Sequence, residues 1–357
     1  MYDDYIMERV QKHYDYLQSL GLNVVAIFAQ GSMNYGLFIN DEDYHSDVDT
    51  KAIILPTLDN LVCGNKMIST KYELDGEQID VKDIRVMEDM WAKSNPAYLE
   101  ILFTKYKIIN PIYESFVNRI LEMGNDIVKM NFPQLAKCMS GMSKEKVIAL
   151  EHPYPSQLKD LEKFGYCPKQ IHHIIRLNQL IKDIYQNNIS FGDALLLNRL
   201  PEFSSYLINV KKGKLSLEQA RLLAKEKDEE TKKIKDEILK IYDGFEFQSE
   251  IYHKLKNIVN ECVKFNIINQ IKGNNKRYIV MMQDEWNNLY YLGEYQCLAD
   301  SIDDINSFLE VYDVSITAED LKEYPSTFGG AFDLDIGMMY EDRDDLVGIM
   351  VRGFILE

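Results

Sequence analysis

The sequence predicts an α+β protein in three parts: an N-terminal mixed sheet with flanking helices over 1–110, a helical middle domain over 111–265, and a small α/β domain over 277–357. Three observations predict this organisation. Short apolar strand-like runs alternate with amphipathic segments in the first part, helical periodicity is almost continuous in the second, and strand-like runs return in the third. A length of 357 residues fits two or three domains with ordinary cores.

The composition is that of a soluble globular protein, with 46% hydrophobic and 27% charged residues. No run of about 18 apolar residues is present, so we expect no membrane span. The acidic start of the chain, Met1 to Tyr5, lacks the basic-then-apolar pattern of a signal peptide. The five cysteines are scattered without a CxxC pair, which favours reduced thiols in the cytoplasm over a zinc site.

The formal net charge of −17 restricts the partners that we expect. Proteins that hold long nucleic acids neutralise phosphates with Lys and Arg, and a negative field opposes this. A polynucleotide substrate would therefore need a local basic patch, with or without help from a metal ion.

The first part contains two signals that fix its local structure. Gly31-Ser32 forms a turn directly after a short buried-type strand, and Asp75-Gly76 between two strand-like runs is a strong hairpin signal. The predicted elements are a helix over 4–20, strands over 23–29, 47–55, 70–74 and 77–84, one helical turn over 33–38, and helices over 83–93 and 95–102.

The remaining two parts differ in their periodicity. Apolar positions predict a helix over 171–184, and Ser216-Leu217-Glu218-Gln219 is typical of an N-cap that opens a long helix. A linker is predicted near 266–276. The C-terminal part is predicted to contain strands over 276–283, 286–295 and 346–356 and a helix over 301–312, among dense acidic residues (Asp333, Asp335, Glu341, Asp342, Asp344, Asp345).

The most informative segment combines Gly31-Ser32 with Asp47 and Asp49 on the next predicted strand. Backbone amides at a Gly-Ser turn that leads into a helix bind phosphates, and the Ser32 hydroxyl adds a donor. Residues two apart on a strand point to the same face, so both aspartates can reach one metal cluster. The pattern therefore predicts a phosphate-and-metal site.

A third carboxylate is predicted to complete this site. Asp80, between two β-branched residues in a neighbouring strand-like run, suits the role. Two metal ions about 3.5–4 Å apart would then share the three acids. The rival pair Asp41 and Asp43 is followed by no apolar run, so we interpret it as part of a loop insertion.

These residues carry a resemblance to a known family. The segments 31–37 and 46–49 resemble the DNA polymerase β-type nucleotidyltransferases, and more narrowly the predicted nucleotidyltransferases of the YcgL type, called RlaP for their association with RNA ligase and end-healing proteins. The likeness continues at Asn95-Pro96 with 99–103, at 165–177 and at 212–218, and so covers roughly residues 20–240. The residues 41–45 form an extra loop, and the C-terminal part lies outside the match.

The resemblance implies roles for named residues. Asp47, Asp49 and Asp80 become metal ligands, and Gly31 with Ser32 bind the triphosphate. Lys169, His173 and Arg176 lie at i, i+4 and i+7, so one side of a helix would present them to triphosphate or acceptor phosphate. We interpret His172 as structural, and Asn95 and Glu100 as capping and packing residues.

The function expected from the resemblance is Mg²⁺- or Mn²⁺-dependent transfer of a nucleoside monophosphate from a nucleoside triphosphate, with ATP as the expected nucleotide, to a hydroxyl. The expected acceptor is an RNA end such as a tRNA 3′ terminus. Two alternatives stay open: nucleotidylation of a protein Ser, Thr or Tyr, and a non-catalytic nucleotide-binding module. For the last, the C-terminal part would recruit a protein partner.

Overall fold

A computed structural model of the chain describes residues 2–42, 44–152, 154–274, 277–283, 288–295, 298–317, 332–335 and 350–356. The chain divides into two compact units, Met1–Lys264 and Phe265–Glu357. Within the described ranges, no helix combines the length and the apolar composition that crossing a bilayer would require.

The first unit is built on a mixed five-stranded sheet in the order β3-β4-β2-β1-β5. Strands β2 and β4 are parallel, whereas the other neighbours are antiparallel. This arrangement confirms the predicted fold class. The strands are β1 (Val24–Ala29), β2 (Thr50–Ile54), β3 (Ser69–Leu74), β4 (Glu77–Asp83) and β5 (Lys107–Ile109).

The hairpin of β3 and β4 turns where the sequence predicts it. Asp75 and Gly76 both have positive φ, at 54° and 83°. Two left-handed central residues give the turn a twist that matches that of the flanking strands. The register pairs Leu74 with Glu77 and continues without a shift to Ser69 and Lys82.

Helices of the first unit cover both faces of its sheet, and the helix over 302–309 belongs to the second unit. The middle part is helical almost throughout, as predicted. The helices are α1 (Asp3–Ser19), α2 (Leu58–Val62), α3 (Ile84–Ala92), α4 (Pro96–Leu99), α5 (Glu114–Glu122), α6 (Gly124–Lys129), α7 (Phe132–Ala149), α8 (Leu158–Phe164), α9 (Pro168–Tyr185), α10 (Phe191–Leu195), α11 (Pro201–Lys211), α12 (Leu217–Ile241), α13 (Ser249–Asn274) and α14 (Ile302–Leu309).

The sheet separates two hydrophobic clusters. Ile27 and Ile54 pack on the side of α1. Phe28 and Ile53 pack on the other side, in a cluster that continues through the helices as far as Cys262. Because this second cluster is continuous, the sheet and the helical part belong to one unit, and the boundary predicted at 110 lies inside it.

Several element boundaries differ from those predicted. Strand β2 begins at Thr50, so Asp47 and Asp49 lie in the segment before it. Helix α13 continues to Asn274, and therefore most of the predicted linker at 266–276 is helical. The short β5 and α2 were not predicted, because runs of three and five residues carry too little periodicity.

The second unit contains an antiparallel sheet in the order β7-β6-β9-β8 and the helix α14. The predicted strands and helix of this part are present where residues are described. Trp286, residues 346–349, and the acidic residues Glu341, Asp342, Asp344 and Asp345 lie outside the described residues. The strands are β6 (Arg277–Gln283), β7 (Leu289–Tyr295), β8 (Phe332–Asp335) and β9 (Met350–Leu356).

Candidate active site

Two carboxylates, Asp47 and Asp49, lie in the segment just before β2, and hydrogen bonds with the neighbouring strand β4 hold this segment. The backbone amide of Gln78 donates to Asp49 Oδ1 at 2.9 Å, and that of Val48 donates to Glu77 Oε1 at 3.0 Å. The side chain of Asp47 is exposed. Partial desolvation raises the pKa of Asp47, and the nearby charge of Asp49 adds to this while Lys169 opposes it. Mutual repulsion of this kind favours a bound cation between two carboxylates.

Glu77 anchors this segment to α1 through a buried network. Its Oε2 lies 2.8 Å from Arg9 Nε and 3.1 Å from His13 Nε2. His13 Nδ1 in turn lies 3.0 Å from Thr50 Oγ1, in the first residue of β2. Buried hydrogen-bonded networks of this type specify one local arrangement, so the network fixes where the Asp47–Asp49 segment begins.

Gly31 lies in a turn, as the sequence predicts, but its backbone amide has a hydrogen-bond partner that the sequence does not predict. Gly31 has φ 89° and ψ −140°, a positive-φ conformation that glycine adopts without strain, and it precedes a 3-10 helix over Ser32–Tyr35. Its amide donates to Glu100 Oε1 at 2.9 Å. The other oxygen of Glu100, Oε2, accepts from the hydroxyl of Tyr35. The Gly31 amide is therefore already paired within the protein.

Helix α9 presents basic side chains to this turn. Lys169, His173 and Arg176 lie on one side of the helix, as their spacing predicts. The guanidinium carbon of Arg176 lies 3.9 Å from the centre of the Tyr35 ring, a cation–π contact. Arg176 thus packs on the same tyrosine that binds Glu100.

These elements enclose a cavity of about 300 Å³ within the first unit. Seven of the eight predicted site residues line it, and Asp80 does not. The described lining residues include four cations and three carboxylates, so the charged groups of the lining have a net excess of one positive charge. The seven are Gly31, Ser32, Asp47, Asp49, Lys169, His173 and Arg176.

Asp80 lies on β4 beside Lys51 of β2 rather than beside Asp49. It is 6% exposed, and its Oδ1 lies 2.7 Å from Lys82 Nζ. Its Oδ2 accepts from Tyr98 at 3.0 Å and lies 3.7 Å from Lys51 Nζ. Among the described residues, no group of three acidic, histidine or cysteine side chains is placed to hold a metal ion. The structure therefore brings two of the three predicted carboxylates into the cavity and pairs the third with lysines.

Sequence reasoning missed Lys211, the last residue of α11. Lys211 Nζ donates to Ser46 Oγ at 3.0 Å and lies 5.0 Å from the centre of the Tyr44 ring. Burial, together with the charge of Lys169, lowers the pKa of Lys211 to about 8, although Asp47 opposes this. The only signal was the run 211–214, in which three of four residues are lysines. Sequence alone does not say which of them turns inward.

The extra loop forms one wall of the cavity. Tyr44 lines the cavity, and Asp41 pairs with Lys212 at 2.6 Å. Asn40 and His45 form a bridge that closes the loop. Asp43, the second member of the rival pair, lies outside the described residues.

His172, interpreted above as structural, also lines the cavity. It is 3% exposed, and within the described ranges neither of its ring nitrogens has a hydrogen-bond partner. Asn95 acts as predicted, since its side chain caps α4 by accepting from the amide of Ala97. Glu100 is buried but links Gly31 with Tyr35, so its contacts go beyond apolar packing.

The carboxylates in the cavity fit a magnesium or manganese ion. Mg²⁺ is commonly held by one or two carboxylates, with substrate phosphates and water as the other ligands. Asp47 and Asp49 can supply the carboxylates, since of their carboxylate oxygens only Asp49 Oδ1 accepts a hydrogen bond within the described part of the chain, and Asp49 Oδ2 and both oxygens of Asp47 accept none.

No family model matches the sequence, and no curated protein matches it. A solved structure of a nucleotidyltransferase-like protein from Exiguobacterium sibiricum is similar to this chain, with 11% sequence identity and a TM-score of 0.27. The similarity covers 80% of this chain and 98% of that protein. A similarity of this size does not establish a shared function.

Proposed function

We propose that this protein transfers a nucleoside monophosphate from a nucleoside triphosphate, ATP being the expected one, to a hydroxyl group. The observation that supports this is the cavity itself. Seven residues selected from the sequence for phosphate and metal binding lie far apart along the chain, yet they line one cavity. A volume of about 300 Å³ lies at the lower end of the range for small-molecule sites.

Phosphate binding is assigned to the cations of the helical wall. Lys169 and Arg176 come from α9, and Lys211 from the end of α11. Arg176 is 8% exposed, and its Nε has no hydrogen-bond partner among the described residues. A buried guanidinium with an unpaired N–H donor favours an anionic ligand. Arginine can bind phosphate through two parallel hydrogen bonds.

Ser32 and the Gly31 turn complete the proposed phosphate-binding surface of the cavity. Because Glu100 occupies the Gly31 amide, we assign Gly31 the role of shaping the turn and Ser32 that of contacting phosphate. Glu100 and Tyr35 hold this turn against Arg176. The arrangement preorganises the donors before the nucleotide enters.

Asp47 and Asp49 are the residues that would hold Mg²⁺ or Mn²⁺ in this cavity. When bound, such an ion neutralises charge on the phosphates and activates the attacking hydroxyl. In the transfer, the acceptor oxygen forms a bond with the α-phosphorus, the bond between that phosphorus and the α–β bridging oxygen breaks, and pyrophosphate leaves. The hydroxyl proton passes to solvent.

The acceptor that we propose is the end of an RNA. The resemblance of residues 20–240 to a family associated with RNA ligase supports this choice. The net charge of −17 means that contact with RNA would be confined to the basic cavity and its rim. A protein hydroxyl is the other outcome that the experiment below distinguishes.

The test is incubation with each radiolabelled nucleoside triphosphate and Mg²⁺, with and without total RNA. We expect α-phosphate label in RNA together with release of pyrophosphate. The double variant Asp47→Ala, Asp49→Ala should abolish labelling, whereas the control Asp41→Ala should retain it. Label in protein instead of RNA would change the acceptor.

Two outcomes would contradict the proposal. One is the absence of labelled product and of nucleotide binding with every triphosphate. The other is loss of transfer in Asp41→Ala with full transfer in the double variant, which would show that the wrong carboxylates were chosen.

A further inference from the structure

The wall of the cavity contains a histidine whose polar atoms have no partner in the described part of the protein. His172 lies on α9 between Lys169 and Arg176, is 3% exposed, and lines the cavity. Both of its ring nitrogens are buried without a hydrogen bond. Buried polar atoms nearly always have a partner, and an exception calls for a specific explanation such as a ligand or a water molecule.

The surroundings of His172 determine which partner fits. Its ring stacks edge-on against that of His173, with centroids 5.6 Å apart. Burial, and after it the charges of Lys211, Arg176 and Lys169, lower the pKa of His172 well below its ordinary range. The imidazole is therefore neutral at neutral pH.

A neutral imidazole has one N–H donor and one acceptor nitrogen. A group that satisfies both nitrogens must accept one hydrogen bond and donate another. An ionised phosphate only accepts, whereas a hydroxyl does both. Phosphates also have better partners close by, because three cations surround this histidine.

We propose that His172 hydrogen-bonds a sugar hydroxyl of the substrate and positions that sugar beside the phosphate-binding cations. This inference rests on the proposed function, since it takes the substrate to be a nucleotide. The hydroxyl can come from the ribose of the nucleoside triphosphate or from the ribose at the acceptor end. In either case His172 selects ribose over deoxyribose, because a buried polar group left unpaired disfavours the analogue that lacks the hydroxyl.

Two substitutions separate the chemistry of His172 from its volume. His172→Leu removes both polar nitrogens, and His172→Gln keeps one donor and one acceptor. His253→Leu is the control, because His253 is an exposed histidine on α13. Binding of ATP, 2′-deoxy-ATP and 3′-deoxy-ATP is measured for each protein by equilibrium dialysis with Mg²⁺, and thermal unfolding is measured without nucleotide.

The wild type should bind ATP about tenfold more tightly than one of the deoxy analogues, which is the size expected for one hydrogen bond to a neutral group. His172→Leu should lose this preference, while His172→Gln and His253→Leu should keep it. Without nucleotide, His172→Leu should unfold at the same or a higher temperature, because it removes two unsatisfied buried atoms.

A second arm identifies the source of the hydroxyl. With a non-hydrolysable nucleotide bound, an oligoribonucleotide and an oligodeoxyribonucleotide of the same sequence are compared. A preference for the ribo form that His172→Leu abolishes and His172→Gln retains would assign the hydroxyl to the acceptor.

The inference is overturned if the wild type prefers neither ATP over both deoxy analogues nor the oligoribonucleotide over the oligodeoxyribonucleotide. This result is obtained on the wild-type protein and does not depend on whether a variant folds. It is also overturned if His172→Leu discriminates as the wild type does. Nucleotide binding that persists in these cases would leave the proposed function standing. Absence of any nucleotide or oligonucleotide binding by wild type would overturn both.

Discussion

Glu77 Oε1 accepts a hydrogen bond of 3.0 Å from the backbone amide of Val48. Val48 is the residue between the two cavity carboxylates, so this bond fixes the segment that carries them. Glu77 is also the meeting point of Arg9 and His13 from α1. A helix at the start of the chain is thereby linked to the position of the candidate metal ligands.

Glu77→Ala should lower the free energy of unfolding by about 3 kcal/mol, because it leaves buried His13 and the amide of Val48 without their carboxylate, while the partly buried Arg9 keeps its pair with Asp75. Urea denaturation measures this loss. Glu73→Ala, on the exposed face of β3, is the matched control and should change stability by less than about 0.5 kcal/mol. Equal losses in the two variants would contradict the role of the network.

The same carboxylate should contribute to acid sensitivity. Burial opposes its ionisation, but hydrogen bonds from His13, the Val48 amide and Arg9 outweigh this and lower the pKa of Glu77 below its ordinary value of 4.5. Its stabilising contribution is therefore complete above pH 4.5 and is lost as the pH falls further. Stability measured from pH 7 to pH 3 should fall less steeply in Glu77→Gln than in the wild type.

Asp80→Asn should act on stability rather than on metal binding. Among the described residues, Asp80 supplies the only carboxylate within 4 Å of the buried Lys51 and Lys82. Its replacement should therefore lower the free energy of unfolding by about 3 kcal/mol. The control Asp89→Asn removes a pair with Lys93 that is exposed, and should cost less than about 1 kcal/mol. Mg²⁺ affinity, measured by calorimetry on the folded variant, should stay at the wild-type value. A large loss of Mg²⁺ affinity would instead make Asp80 a metal ligand.

Nucleotide affinity should weaken as the pH rises through 8. Lys211 has a pKa of about 8 and loses its charge over this range. The dissociation constant for ATP should then rise by up to about tenfold between pH 7 and pH 9.5, as expected for the loss of one charge-assisted contact. Lys211→Arg should give a flat profile because arginine stays protonated. Lys214→Arg, on an exposed lysine, should titrate as the wild type does.

The lowered pKa of Lys211 also makes stability depend on pH. Nucleotide affinity should fall as the pH rises, whereas the free energy of unfolding should increase. Because the pKa of Lys211 lies below its ordinary value of 10.5, the unfolded chain binds more protons between about pH 8 and pH 10.5. Lys211 therefore makes the protein more stable as the pH rises through this window. Lys211→Met should remove this gain in denaturation curves.

Gly213→Ala tests the packing behind Lys211. Gly213 has φ 75°, and an added Cβ would lie 2.4 Å from Phe164 Cε1. Gly244 has a similar φ of 79° but nothing within 4 Å of its Cβ position. Gly244→Ala should lower the free energy of unfolding by about 1 kcal/mol, because only the left-handed backbone disfavours alanine there. Gly213→Ala should lower it by about 3 kcal/mol, because the clash with Phe164 adds to the backbone effect. Thermal unfolding compares the two, and equal costs would contradict the clash.

The sequence determined the local features of this protein. The Asp75-Gly76 turn set the hairpin, because two residues of positive φ fit only a tight turn between strands. The spacing of Lys169 and Arg176 set the side of α9 that they share, because a helix repeats every 3.6 residues. These features depend only on neighbours in the chain, so the pattern of residues is enough to predict them.

Tertiary structure alone decided which groups meet. The Gly31 amide binds Glu100, a partner 69 residues away. Asp80 lies beside Lys51 because of the parallel register of β2 and β4. The inward lysine is Lys211 because α11 ends against Ser46. Strand register and helix docking depend on packing between distant segments, and periodicity along one segment does not encode them.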